Sequence, residues 1–219
     1  MRRADRGRDD GTTLMELVVG MGLMTVFMSM FTTVVLMMNN ASSAVSSLRS
    51  STASVNTAFL QLDKAIRYAS AMSQPNAAAT ATGNYYAEFQ TTNTGATVCT
   101  QLQLNNSTQQ LSKRTWTVTG STYTTPTAFT IIASNVVADP AATAGPFQLN
   151  PPASATNPTP DVPFEQLAVA LSSTQKLGSA TSTTPSSMTF TAVNSSAAYQ
   201  YSLTTPTAPT TICTGPGRP

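Results

Sequence analysis

The chain has 219 residues, of which 41% are hydrophobic and 9% charged, with a formal net charge of +2. That length allows one ordinary domain with a real core plus an extra element, while the charge content lies far below the roughly one quarter of an average soluble domain. Four of the eleven basic residues, Arg2, Arg3, Arg6 and Arg8, crowd the N-terminus, there is no His, and the two Cys are far apart; this pattern argues against a nucleic-acid footprint, a transition-metal site or an enzyme.

The first element is a short charged leader, residues 1–11, in which Asp5, Asp9 and Asp10 accompany the arginines. Behind it, residues 12–38 read TTLMELVVGMGLMTVFMSMFTTVVLMM, with Glu16 as the single charge and no Pro. As helix this run covers about 40 Å, more than the roughly 30 Å of a hydrocarbon core. The basic leader predicts a cytoplasmic N-terminus and an extracytoplasmic remainder. A cleavable secretory signal has an apolar stretch of only about 7–15 residues, so the run reads as retained; Ala41-Ser42-Ser43-Ala44 is the alternative cleavage site behind it. A carboxylate in such a run costs about 2.5–3.5 kcal/mol at the bilayer centre and less near the edge, where Glu16 lies. Such a group usually has a partner.

The segment Gly11-Thr12-Thr13-Leu14-Met15-Glu16-Leu17, at the entrance of a spanning run, resembles the type IV pilin and pseudopilin family. Precursors of that family carry a short charged leader, a Gly, then a long apolar helix with Glu at its fifth position. The resemblance implies that a membrane-embedded prepilin peptidase cuts between Gly11 and Thr12, that the new amino group of Thr12 is N-methylated, and that the apolar helix is kept. It also implies that Glu16 meets the positive N-terminus of a neighbouring subunit, neutralising two charges that are each costly in an apolar filament core. Thr12 stands where Phe is commoner, and Met15 where Ile or Val is usual. The competing reading is a plain signal-anchor helix whose first-turn acid is tolerated by the helix dipole. Further along, Gly20 and Gly22 each cost about 1 kcal/mol relative to Ala; they mark a place to bend or, equally, a place for close helix packing.

No Pro occurs before Pro75, and after Asn39-Asn40 the residues Val45, Leu48, Thr52, Val55, Phe59, Leu62, Ile66 and Ala69 recur at steps of three and four. This is one helical stripe, so the helix is expected to continue through residues 39–73, with Asp63 and Arg67 spaced for a surface pair. Thr52 and the Ser-rich start make a poor coiled-coil seam and a better cover for a sheet. Leu62-Asp63-Lys64-Ala65-Ile66-Arg67-Tyr68-Ala69 is similar to the end of the long helix in PilW-like minor pilins and J-type minor pseudopilins.

Residues 74–219 read as a β-rich extracytoplasmic domain. Alternating segments at 85–90, 97–104, 115–119, 129–137, 164–171, 187–193 and 199–203 predict strands. Tyr85, Ala87 and Phe89 share one face, as do Val98, Leu102 and Leu104, and Trp116 with Val118, with Thr frequent opposite. One antiparallel sheet over the helix stripe follows. Pro151, Pro152, Pro158, Pro160 and Pro163 make the stretch before Phe164 a loop, and the tail after Thr205 is rich in Pro and Thr. Cys99 and Cys213, if paired, close a loop of about 115 residues and contribute about 3–5 kcal/mol in an oxidising compartment; two unpaired buried thiols are the alternative. Glu88, Asp139, Asp161 and Glu165 are the acids a calcium ion would need, but no EF-hand spacing joins them, and no cofactor is expected.

The expected fold is α+β and type IV pilin-like: leader 1–11, membrane or filament-core helix 12–38, amphipathic continuation 39–73, and a C-terminal antiparallel β-sheet domain 74–219. The function implied by the resemblance is that of a minor type IV pilin or pseudopilin, built into a pilus or pseudopilus for adhesion, motility, DNA uptake or secretion. The implied partners are the prepilin peptidase, other pilins through the N-terminal helix, an inner-membrane assembly platform and the lipid bilayer. The chain would pass from a single-pass place in the inner membrane to a surface filament. The alternative is a signal-anchored extracytoplasmic domain that binds a ligand and never assembles; an anchored hydrolase has no nucleophile and base to rest on.

Overall fold

The computed structural model describes residues 14–76, 79–80, 83–92, 95–150, 164–177, 180–195, 212–213 and 215. The chain divides into two compact units, Met1–Val45 and Ser46–Pro219. Helix α1, Leu14–Arg67, supplies the described part of the first unit and the opening element of the second.

Within the second unit, the buried helix positions are Ser51, Val55, Ala58, Phe59, Leu62 and Ile66. Ser51, Val55, Phe59, Leu62 and Ile66 recur every third or fourth position, with Ala58 beside Phe59, and lay one stripe along the helix. Leu48 and Thr52 are half-buried, whereas Val45, expected on the stripe, is exposed. Asp63 and Arg67 form the surface pair at 2.6 Å. The helix ends at Arg67 rather than near residue 73. The carbonyl of Arg67 accepts the N–H of Val193 at 3.1 Å, and the next residues pair as a strand. Ala and Met are good helix formers, so tertiary pairing overrides the local preference here.

Six strands form the first sheet: β1 (Ala69–Met72), β2 (Asn84–Thr91), β3 (Thr97–Asn105), β4 (Gln110–Thr119) and β5 (Thr122–Tyr123) in that order, with β6 (Thr130–Ser134) also on the outer edge of β4. A second sheet holds β7 (Val136–Ala138), β8 (Phe147–Asn150), β9 (Gln166–Leu177) and β10 (Ala180–Thr191), with β10 on one edge of β9 and β7 and β8 on the other. All the pairings are antiparallel. The expected strands at 85–90, 97–104, 115–119, 164–171 and 187–193 coincide in large part with β2, β3, β4, β9 and β10. β1, β5 and β8 were not anticipated. The expected strand 199–203, the Pro-rich stretch 151–163 and the tail to residue 211 lie outside the described residues.

Two sheets stand where one was expected, because the run 129–137 is not one strand. Asn135 interrupts it with φ 58°, a left-handed conformation that Asn tolerates better than most residues. β6 therefore stays with the first sheet and β7 joins the second. The junction is held by its neighbours: the Asn135 carbonyl accepts the N–H of Thr174 at 2.8 Å, and Val136 donates its N–H to Gln109, itself at φ 55°, at 3.0 Å. The Thr174 hydroxyl donates to the Gln109 side chain at 3.0 Å.

The core joins three surfaces. Val55, Phe59, Leu62 and Ile66 of α1 meet Ala87, Phe89, Leu102, Leu104 and Leu111 of the first sheet and Phe147, Leu167, Val169, Leu171 and Phe190 of the second. Phe59 and Phe190 pack edge to face with ring centroids 5.8 Å apart. Between β5 and β6 the edge of β4 is closed by threonines. Thr124 and Thr127 donate N–H groups to the carbonyls of Thr117 and Thr115, and their hydroxyls accept the N–H groups of those same residues, at 2.9–3.0 Å. A hydroxyl thus replaces a strand carbonyl along a segment whose Pro126 has no N–H to offer, and the edge is capped against other chains.

Candidate functional site

The first candidate is the helix of the first unit. Its large apolar side chains are exposed on every side, from Leu14 at 82% and Phe27 at 68% to Met38 at 75%. A helix apolar all round needs an apolar medium or apolar partners. Among the described residues it is the one helix long and apolar enough to cross a membrane. Its hydroxyls are adapted to such a medium. Thr25, Ser29, Thr32 and Thr33 each donate to the carbonyl three or four residues back, at 2.7–2.9 Å, so no hydroxyl donor of residues 14–38 is left to seek water. The helix runs unbroken through Gly20 and Gly22, where an added Cβ would meet nothing within 4 Å.

Glu16 occupies the first turn of α1 and is exposed, a position where a negative charge is favoured by the helix dipole. Gly11 and Thr12, the expected cleavage and methylation positions, lie outside the described residues.

The second candidate lies on the face of the first sheet turned away from α1. Cys99 and Cys213 are joined there by a disulfide with Cα atoms 5.9 Å apart, as the pairing expectation required. Cys99 stands opposite Trp116 in register, and the three side chains form a small buried cluster with Val118 and Ile212 against it. Gly215 lies directly on the indole. A Cβ there would come within 2.8 Å of Trp116 Cε2, Cζ2 and Nε1, so a side chain would force the ring or the backbone to shift. The bond and the glycine together hold Cys213 and Gly215 against β3 and β4.

Beside this cluster a polar row crosses three strands. Glu88, Gln101 and Arg114 are directly in register. Gln101 Nε2 donates to Glu88 Oε1 at 2.6 Å, and Arg114 Nε donates to Gln101 Oε1 at 2.7 Å. The Gln101 amide therefore bridges a carboxylate and a guanidinium. Tyr86 Oη accepts from Gln103 at 2.9 Å and from Asn84 at 3.2 Å. The Arg114 guanidinium lies over the rings of Phe129 and Trp116, at 4.6 and 5.9 Å from the centroids. Burial lowers the pKa of Arg114 from its ordinary value, while Tyr86 and Glu88 pull it back up. Tyr86, Gln101 and Glu88 are buried, and such a row is stabilising because its members satisfy one another.

The acids considered for calcium are engaged separately. Glu88 accepts from Gln101, the Glu165 carboxylate accepts the N–H of Met72 at 3.0 Å, Asp139 accepts the N–H of Ala141 at 3.0 Å, and Asp161 lies outside the described residues. Among the described residues no group of three or more His, Cys, Asp or Glu side chains is placed to hold a metal ion.

Sequence reasoning missed the Glu88–Gln101–Arg114 row. The signal was present: long polar side chains occupy the alternate positions of three consecutive strands, where a solvated face would be expected to carry mainly Thr. It could be recognised only once the register was known. No family model, curated protein or solved structure matches this chain.

Proposed function

We propose that this chain is a minor type IV pilin or pseudopilin, a structural protein held first in the inner membrane and then built into a filament. The observation that carries the proposal is the helix of residues 14–38, apolar on every side and with its one acid in the first turn. Lipid satisfies such a surface before assembly, and the equivalent helices of neighbouring subunits satisfy it afterwards.

In this reading a prepilin peptidase removes residues 1–11 on the cytoplasmic side. The freed amino group of Thr12 is methylated, and Glu16 pairs with the N-terminus of an adjacent pilin. That pairing neutralises two charges in a medium where either alone is costly, so it selects one register of helix packing over slipped ones. An inner-membrane assembly platform lifts the processed subunit out of the bilayer, and the disulfide-bonded domain faces the outside. The alternative, a signal-anchored domain that never assembles, keeps its leader and has no use for Glu16.

Intact-mass measurement of the protein from native membranes is the deciding experiment. A mature chain beginning at Thr12 and carrying one N-methyl group in place of an amino hydrogen is expected, and a retained leader overturns the proposal. Glu16→Ala should leave the chain in the membrane while removing it from sheared surface filaments; unchanged recovery from filaments would count equally against it.

A further inference from the structure

We infer that residues 39–54 are an extensible link, the stretch of α1 that opens first when the chain is pulled or warmed. Three observations combine. Ten of these sixteen residues are Ser, Thr or Asn, and seven of the ten are Ser, residues of lower helix propensity than Ala, Leu or Met because their side chains compete for backbone hydrogen bonds. The stretch also has little tertiary support. Ser51 is its one buried side chain, with Ala44, Leu48, Thr52 and Ser54 half-buried and the rest exposed. Finally, that single buried contact is a poor one: the Ser51 hydroxyl has no hydrogen-bond partner, which is unfavourable for a buried donor. The Ser54 hydroxyl does accept the N–H of Ser134, at 3.4 Å.

The flanking stretches of the same helix have what this one lacks. Residues 14–38 gain from any apolar medium, which enforces backbone hydrogen bonding. Residues 55–66 bury Val55, Ala58, Phe59, Leu62 and Ile66 in the core. Opening is therefore confined to the segment between them. Each residue that passes from helix to extended chain adds about 2 Å of length, so sixteen residues add about 30 Å. The folded sheets can stay intact while the anchor is under load. The inference stands whether or not the chain assembles.

The sequence supplies a reporter. Arg49 is the one Lys or Arg between Arg8 and Lys64, and it is exposed in the middle of the link. The experiment is trypsin digestion and amide hydrogen exchange of the full chain in lipid nanodiscs. The first cut is expected after Arg49, ahead of Lys64 and Arg67 on the same helix, and amides of residues 40–54 should exchange faster than those of 56–66. Replacing the exposed Ser43, Ser46 and Ser50 together by Ala should slow the Arg49 cut about tenfold, roughly twofold per residue, and Ser46→Gly should speed it. A first cut at Lys64 or Arg67 overturns the inference. So does equal protection on both sides of Val55, or an Arg49 rate that these substitutions leave unchanged.

Discussion

The two parts of α1 show how one helix can be justified by two different surroundings. Residues 14–38 are apolar on every side and bury nothing within the chain, so their helix depends on a medium the protein does not provide. Residues 55–66 are apolar along one stripe and bury it against two sheets. Being helical does not by itself determine what a segment is for; the distribution of its apolar side chains does. An all-round pattern points to lipid or to like helices, and a stripe points to a fold of its own.

The largest expected effect separates the two parts. Phe59→Ala removes the ring that packs on Phe190 and should destabilise the second unit by about 4 kcal/mol, read by thermal unfolding in detergent, while the chain stays in the membrane fraction. Loss of membrane association in that variant would break the distinction. Next, replacing Cys99 and Cys213 by Ala should cost the second unit about 3 kcal/mol through the unfolded state, again without effect on anchoring. Trp116 fluorescence should report the change, since the indole packs in the same cluster. Phe27→Arg has the opposite selectivity. It should weaken insertion by about 2.5 kcal/mol, measured as a larger carbonate-extractable fraction, and leave the unfolding temperature of the sheets where it was. The smallest effect is expected at the β4 edge. Thr127→Val removes the hydroxyl that accepts the Thr115 N–H and should cost about 1 kcal/mol. Faster exchange at the Thr115 amide is its most direct readout.

The parts of the fold legible in the sequence were those whose pattern is local. The apolar run, the stripe from Leu48 to Ile66 and the inward face of Ala87, Phe89, Leu102 and Leu104 all follow from periods of 3.6 or 2. The end of the helix was not legible. Tyr68 to Met72 carries residues compatible with either state, and the pairing with β2 and the Val193 contact decided between them. β5 and β8 are too short to show a period, with 2 and 4 residues. The split at Asn135 depends on Gln109 and Thr174, distant in sequence, holding a left-handed residue in place. Of the candidate sites, the apolar helix with Glu16 could be read directly. The Glu88–Gln101–Arg114 row could not, since its three members come from separate strands.

By itself the sequence determined that one end of this protein requires an apolar environment and that the other is built mainly of strands. Composition and period are enough for that, because the hydrophobic effect and backbone geometry act on each stretch separately. Only the tertiary structure decided where α1 stops, that the strands form two sheets, and that Cys99 finds Cys213. Each of these rests on contacts between residues far apart in the chain, where no local preference is strong enough to choose.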